Sequence, residues 1–472
     1  MRFGHRVTGI ITSVDDNGRG AFTSPEGHFV VPFSAIGDEV VTTFLHRDRR
    51  LKVSKIESIP TPSPDRIATP CPHAGVCGGC LWQHLSYDAQ IKLKLEMVNR
   101  AFEAAGHDER LTDIVRSTAQ FHHRNRMDYA VGWNGEIGLK EYGSWNRYVN
   151  LTTCLLLADG VGEILQTVRD WMHAFDFQPW DAKFYTGDIR YVVIRDGQQT
   201  QQRLVTIVVK DATRLTDEAK KHLVERLLAI GQGAGRTPRA PTSILIGEQS
   251  LQTDLSIAQK FETLFGDPWI EEIVNDIRYR IHPNSFFQTN SQMAGTLQEI
   301  VGEFVGARFV APGRVVAPDQ AGRDESRPYT ILDLYCGLGF FSLYLAKNNI
   351  AQKIHGVEID AEAIELAKHN ARTNGVSDAC DFTAAKAEDM SWKDIPADTI
   401  ILDPPRAGLH PKVLKTVMEK APQTIAYVSC NYKRLVEELK EFKTAYNVTS
   451  LRAVDLFPHS PHVEVLVKLE RR

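Results

Sequence analysis

From Tyr329 onward the chain changes its period, and that change limits what this part can fold into. Short apolar runs (Ile331-Leu332-Asp333-Leu334, Gly356-Val357-Glu358-Ile359, Thr399-Ile400-Ile401-Leu402-Asp403 and Ile425-Ala426-Tyr427-Val428-Ser429-Cys430) alternate with helical stretches. Ile364, Ala367 and Ala371 fall on one helical face between the second and third runs. Strands that alternate with helices of this length predict a doubly wound α/β sheet. Ligands of such sheets bind beyond the carboxyl ends of the strands.

The strand ends carry chemistry. Asp333-Leu334-Tyr335-Cys336-Gly337-Leu338-Gly339 follows a strand and precedes a helix. Glycines there let the backbone approach a ligand and expose amides at a helix N-terminus. Glu358 ends the next strand, 21 residues beyond Gly337, where a carboxylate can accept both hydrogens of a ribose diol. Asp403-Pro404-Pro405-Arg406 ends the third, and the prolines hold Asp403 extended toward the crevice. Gly337 and Gly339 alone fit an ordinary turn or a dinucleotide site. With Glu358 and Asp403 they favour an S-adenosylmethionine (SAM) site over a dehydrogenase.

Cys430 ends the fourth strand in the same crevice. A thiolate is the attacking form of cysteine and is favoured near cations or a helix N-terminus. The helix expected over Lys433–Lys443 offers both influences. A thiol beside a methyl donor points to a substrate carbon too poor a nucleophile to take the methyl unaided. C5 of a pyrimidine is such a carbon, since thiol addition at C6 makes C5 enolate-like. A base must then remove the C5 proton. Glu464, in His462-Val463-Glu464-Val465-Leu466-Val467, shares strand parity with Lys468 and Glu470, and the pattern alone reads as an exposed edge-strand carboxylate.

The preceding residues are organised differently. Residues 6–58 alternate in short bursts, with turns at Asp16-Asn17-Gly18 and Pro25-Glu26-Gly27. Val7–Ile11, Gly27–Phe33 and Asp38–Phe44 are predicted strands, and their spacing suits a small β-barrel. Thr61–Arg66 reads as a linker, 86–105 as a helix, and 191–194 and 204–209 as strands. Gly231–Ser243 and Val310–Pro328 read as Gly/Pro/Arg-rich loops, the second an insertion ahead of the last domain. Cys71, Cys77 and Cys80 are a close triplet, and Cys154 is a possible fourth ligand. Four thiolates suit either zinc or an iron–sulfur cluster, and the spacing leaves both open.

At 472 residues the chain is multi-domain, and its net charge of -4 gives no general attraction to nucleic acid. Basic stretches at His46–Lys55 and Arg124-Asn125-Arg126 read first as solvated strand edges. No run is long enough to cross a membrane and no signal-peptide core follows Met1, so a cytoplasmic location is expected.

Taken together these motifs resemble the RNA (uracil-5)-methyltransferase family, in its branch with an N-terminal TRAM barrel and a [4Fe-4S] cluster. The resemblance runs nearly end to end. It implies an OB-like RNA-binding barrel at 1–58, a central α+β domain with the cluster at 59–275, and a Rossmann-like SAM methyltransferase domain at 276–472. Cys71–His84 is similar to the cluster motif, with Cys154 where the fourth ligand is expected. Phe286-Phe287-Gln288-Thr289-Asn290 resembles a Phe-x-Gln-x-Asn element, which implies Gln288 at SAM and Phe286 near the target base. Tyr335, Gly337, Gly339, Glu358 and Asp403 match further SAM positions, with Asp403 also toward the uracil. Ser429-Cys430-Asn431 matches the nucleophile motif. Phe457–Glu464 matches the proton-acceptor motif and reverses the pattern-based reading of Glu464. Ser460-Pro461 departs from the usual Thr in that loop.

The reaction so implied is methylation of a uridine at C5 in structured RNA, with 23S rRNA ahead of tRNA as substrate and no obligate protein partner. Competing readings are DNA cytosine-C5 methylation, a non-catalytic RNA-binding protein with a redox-sensitive cluster, and radical SAM chemistry. Cys71-x5-Cys77 does not match the Cys-x3-Cys-x2-Cys motif that radical SAM proteins use.

Overall fold

The computed structural model describes residues 2–231, 239–306, 308–311, 314–316 and 329–472, the two short stretches at 308–311 and 314–316 as backbone only. Most of each expected Gly/Pro/Arg-rich loop, at 232–238 and 317–328, lies outside the described residues.

Six strands come first: β1 (Arg6–Ile10), β2 (Ser13–Val14), β3 (Gly20–Ser24), β4 (Gly27–Val31), β5 (Glu39–Asp48) and β6 (Leu51–Thr61). They form one sheet in the order β1-β5-β6-β4-β3-β2. Val7, Ile11, Phe22, Phe29, Val31 and Val40 close its core. The basic stretch 46–55 is not a sheet edge, because β6 lies between β5 and β4. It is the β5–β6 hairpin, with Arg47, Arg49 and Arg50 exposed at its tip. The expected linker is tied down: Asp38 accepts from the Ser63 amide and from the Arg66 guanidinium.

Helix α1 (Tyr87–Ala104) is capped by Ser86, whose side chain accepts from the Ala89 amide. A second sheet is built from β7 (Arg126–Val131), β8 (Ile137–Lys140), β9 (Tyr148–Asn150), β10 (Ile189–Asp196), β11 (Arg203–Val209), β12 (Ser243–Glu248) and β13 (Lys260–Phe265), in the order β13-β12-β11-β10-β7-β8-β9. Helices α2 (Val161–Ala174) and α3 (Asp217–Leu228) share its core.

A hairpin, β14 (Ile270–Val274) and β15 (Ile277–Ile281), precedes α4 (Ser291–Phe304) and a short pair, β16 (Arg308–Ala311) and β17 (Arg314–Val316). The last sheet then follows as β18 (Thr330–Leu334), α5 (Phe340–Lys347), β19 (Lys353–Glu358), α6 (Ala361–Thr373), β20 (Cys380–Ala384), β21 (Thr399–Leu402), α7 (Pro411–Lys420), β22 (Thr424–Ser429), α8 (Tyr432–Phe442), β23 (Tyr446–Val454) and β24 (Glu464–Arg471). Its order is β20-β19-β18-β21-β22-β24-β23, parallel except where β24 pairs antiparallel with β22 and β23. The chain reverses its direction of travel between β18 and β21, so a crevice opens beyond their carboxyl ends.

Two segments cross the boundaries expected from sequence. The apolar side of α1 (Leu93, Met97, Val98, Phe102) is buried with α8 and the last sheet. Hairpin β14–β15 straddles residue 276 and packs with α4, α5 and α6. In both cases an apolar face finds its cover across the sequence boundary, a non-local fact that composition does not carry.

Candidate active site

The turn after β18 is conformationally demanding. Tyr335, Gly337 and Gly339 all have positive φ, at 68°, 52° and 79°. For tyrosine this left-handed geometry is strained and held only by its surroundings. A Cβ on Gly337 would meet nothing within 4 Å, so the turn faces open space on that side. The Gly337 amide donates to Glu358 Oε2 at 3.2 Å, and the Asp360 amide donates to Oε1 at 3.1 Å. Asp333 is fully buried and accepts from the Ser342 hydroxyl at 2.6 Å, while its Oδ1 has no protein partner among the described residues. Burial pushes this carboxyl up to about 7.

Asp403 lies just past β21 and electrostatically joins two groups of residues. Burial raises its pKa well above the carboxylate range, and Glu464, Asp333 and Glu358 add to the rise. Cys430 lies just past β22 and is half-buried. Its thiol is pushed up to about 11, first by burial, then by Glu464 and Asp403, with Arg406 opposing. Burial and the two carboxylates together outweigh Arg406, so the thiol keeps its proton at rest. Glu464 corrects the pattern reading. It is 4% exposed and opens β24, an interior strand; the edge is β23. Burial lifts its carboxyl to about 7, with Arg406 pulling the other way.

Cys430 opens onto a cleft of about 770 Å³ with Arg124, Arg406, Lys433, His462 and the Asp16-Asn17 turn of the first sheet along its walls. Its wall is locked by the loop that leads to Glu464. The Gln90 carboxamide accepts from the His459 amide at 2.7 Å, and the Trp82 amide donates to the His459 carbonyl at 2.9 Å. Lys94, fully buried, pairs with Asp455 at 2.5 Å and donates to the Phe457 carbonyl at 3.0 Å. The Trp82 indole donates to the Gly18 carbonyl at 2.6 Å. A Cβ on Gly18 (φ 79°) would stand 2.7 Å from Pro461 Cβ, so Pro461 of the departing Ser-Pro pair packs directly on the first sheet.

Sequence reasoning gave Lys94, Asp455, Arg406 and His462 no role. Arg406, next to the two prolines, is the one with a local signal. Its guanidinium lies 3.2 Å from His462 Nε2, and its carbonyl accepts from the Asn431 side chain at 2.8 Å. Arg124-Asn125-Arg126 is not a solvated edge. Arg124 faces the cleft, and Asn125 is buried, donating to the Gln288 carbonyl and to Ser291 at 2.8 Å each. Arg126 pairs with Asp128 at 2.7 Å.

Gln288 is buried in the loop before α4, whereas Phe286 is 69% exposed and is not among the residues lining the cleft. Phe287 carries the packing instead, against Tyr279 and Phe340. Cys71, Cys77, Cys80 and Cys154 line one small cavity with His73 and Gln83, and none forms a disulfide. Among the described residues no group of three or more His, Cys, Asp or Glu is arranged to hold a metal ion. Cys336 and Cys380 are buried. No helix among the described residues is long and apolar enough to cross a membrane.

Residues 319–472 match the family model described as tRNA (Uracil-5-)-methyltransferase. The tRNA (uracil(54)-C(5))-methyltransferase of Pyrococcus horikoshii is 33% identical over 463 residues, covering 98% of this chain and 100% of that one. The 23S rRNA (uracil(747)-C(5))-methyltransferase of the same organism is 31% identical over 472 residues, covering 99% and 100%. The crystal structure of Pyrococcus abyssi tRNA (uracil-54, C5)-methyltransferase in complex with S-adenosyl-L-homocysteine superposes with a TM-score of 0.75 at 29% identity, covering 98% of this chain and 100% of that one. The chain belongs to the family of SAM-dependent RNA (uracil-C5)-methyltransferases.

Proposed function

We propose that the chain methylates C5 of a uridine in folded RNA through a covalent bond between Cys430 and C6. The observation that carries this reading is the meeting of Cys430, Asp403 and Glu464 beyond the carboxyl ends of β21 and β22, with two of the three groups held near or above neutrality. SAM supplies an electrophilic methyl group. Its fit rests on the open face of Gly337, the free oxygen of Asp333, and the carboxylate of Glu358 at a strand end, with Gln288, Tyr335, Gly339 and Asp403 as further contacts. Asp403, between donor and thiol, also orients the uracil.

The chain's own residues then act in order. Cys430 gives its proton to solvent in the cleft and Sγ bonds to C6, while the C5–C6 π electrons move toward O4. C5 then takes the methyl group, whose bond to the sulfonium sulfur breaks with the electron pair left on sulfur. Glu464 removes the C5 proton, and the C6–S bond breaks as the C5–C6 double bond returns. A base with a pKa near 7 is matched to that task at neutral pH. The target base must leave its stack to reach the thiol, and the cleft of about 770 Å³ supports this.

The first sheet serves as a TRAM-type RNA-binding barrel, with the basic hairpin tip as its contact. Cys71, Cys77, Cys80 and Cys154 would hold a [4Fe-4S] cluster. The fit rests on four thiols around one cavity, the donor set that a [4Fe-4S] cluster takes, and the family resemblance prefers the cluster over zinc. Its contribution is structural, tethering the 71–80 loop to the second sheet. Iron and sulfide analysis of anaerobically purified protein tests this; absence of both sinks the cluster.

Relatives named for tRNA, at 32–33% identity, stand slightly ahead of the one named for 23S rRNA at 31%. The expected preference for 23S rRNA gains no support from them, and tRNA becomes the first substrate to assay. Nucleoside mass spectrometry after incubation with SAM and either transcript is the test. 5-Methyluridine in tRNA is the expected product; its appearance only in 23S rRNA reverses the substrate, and its absence from both refutes the reading.

A further inference from the structure

An aromatic cavity of about 230 Å³ lies on the second sheet, apart from the catalytic cleft. Trp133, Trp145, Tyr148, Trp180 and Phe184 form it. Trp180 is the floor, 3% exposed and stacked by the Arg190 guanidinium at 4.2 Å. The rim is the anomaly: Trp145 and Phe184 are each 65% exposed, and Trp133 is 54% exposed. Large aromatics left in water around one concavity mark an interaction site more often than scattered ones do.

The cavity is coupled to the catalytic cleft through one hairpin. Lys140, Glu141, Tyr142 and Gly143, on the end of β8 and the turn after it, line the cleft with Cys430. Trp145, Asn146 and Tyr148, in the same turn and on β9, line the aromatic cavity. Gly143 and Trp145 are two residues apart, so their Cα atoms are at most about 7 Å from one another. One RNA bound along the cleft therefore reaches the cavity without leaving the surface of the hairpin.

We propose that this cavity is a stacking site for an unpaired base of the RNA substrate, other than the uridine that is methylated. The inference rests on the RNA reading of the enzyme. Every base has a π-face, and aromatic side chains are the general means of holding bases that have left a helix. The volume suits a single ring system rather than a larger ligand. Charge favours RNA over a cationic guest. Lys183 already sits 4.9 Å from the Phe184 ring centroid, where it repels a second cation and attracts phosphate. The one carboxylate in the lining is Asp181, whose Oδ1 accepts from the Lys183 and Phe184 amides at 2.8 and 3.2 Å.

The test uses Trp145→Ala, Phe184→Ala, the double variant and the conservative Trp145→Phe, in the full-length protein. Both side chains are mostly exposed, so the variants are expected to melt with the wild type. Stacking of one base against one aromatic implies a KM for tRNA transcript about tenfold higher for each alanine variant, with kcat within about twofold, SAM affinity unchanged, and rescue by phenylalanine. RNA binding is measured in parallel by quenching of tryptophan fluorescence with 23S rRNA and tRNA transcripts, and Trp145→Ala is expected to lose most of the quench. Unchanged RNA affinity in the double variant overturns the proposal. So does tight binding by the cavity of a methylated-lysine peptide with no effect of the variants on RNA. A wild type that binds RNA but methylates neither transcript counts against the uridine reading alone, and the affinities still decide the cavity.

Discussion

Replacing Glu464 by glutamine should stabilise the ligand-free protein at pH 8 while abolishing turnover. The folded carboxyl is held at about 7 against an ordinary value of 4.5. Between those two pH values the folded state keeps a proton that the unfolded state has released. Stability therefore falls as pH rises through this window and stays low above it. The gap corresponds to about 3 kcal/mol at pH 8, at 1.36 kcal/mol per unit. Glutamine is nearly isosteric and carries no charge, so E464Q escapes this loss. The comparison should show the variant about 3 kcal/mol more stable at pH 8 and equal to wild type near pH 4.5. For a cooperative unit of 150–250 residues that is a rise in Tm of roughly 6–12 °C. Differential scanning calorimetry or urea unfolding at both pH values is the assay. Equal stability at pH 8, or a pH-independent difference, would refute the claim that burial of this carboxylate is uncompensated.

On RNA, E464Q should accumulate a protein–RNA adduct that survives denaturing electrophoresis, and C430A/E464Q should form none; an adduct in the double variant would remove Cys430 from the mechanism. Lys94→Met leaves Asp455 buried without its partner and should cost about 3–5 kcal/mol by chemical denaturation, whereas K94M/D455N should cost much less. Gly18→Ala combines a positive φ with a clash against Pro461, and a stability loss of about 1–3 kcal/mol with a matching fall in activity is expected; wild-type behaviour would mean the loop before Glu464 moves freely.

What was legible in the sequence is what has a local signal. The switch to alternating strands and helices at Tyr329, the glycine turn and the strand-terminal Glu358, Asp403 and Cys430 depend only on neighbours in sequence. Glu464 was misread by pattern because its burial comes from strand order: β24 is inserted between β22 and β23 after a long excursion. Lys94 finds Asp455 361 residues away, and helical periodicity has no term for such a partner. Arg124-Asn125-Arg126 failed for the same reason, since Asn125 is defined by the loop that carries Gln288. The ionisation of Cys430 departs from the sequence reading because that reading weighed only the helix that follows, while burial and two carboxylates delivered by other strands leave no local signal.

Those carboxylates imply a further linkage. Glu464, Asp333 and Glu358 all act on Asp403, and three of these four carboxyls are raised by burial, Asp333 and Glu464 to about 7. Such a group of acids is poorly compensated in the free protein, with Arg406 the cation that acts on Glu464 and Cys430. The sulfonium of SAM is a fixed positive charge, and bound beside Asp403 it favours the ionised form of every neighbour. SAM binding at pH 7 should therefore release protons, on the order of one per site when two groups titrate near that pH. S-adenosylhomocysteine has the same shape and hydrogen-bonding groups but a neutral thioether, so its binding should release distinctly fewer. Calorimetry of each ligand in buffers of high and low ionisation enthalpy measures both numbers. Equal proton release by the two ligands would mean that the sulfonium does not sit among these carboxylates. A larger release with SAM would also explain how a thiol held near 11 becomes reactive, since the charge that draws protons from Asp403 and Glu464 acts on Cys430 as well.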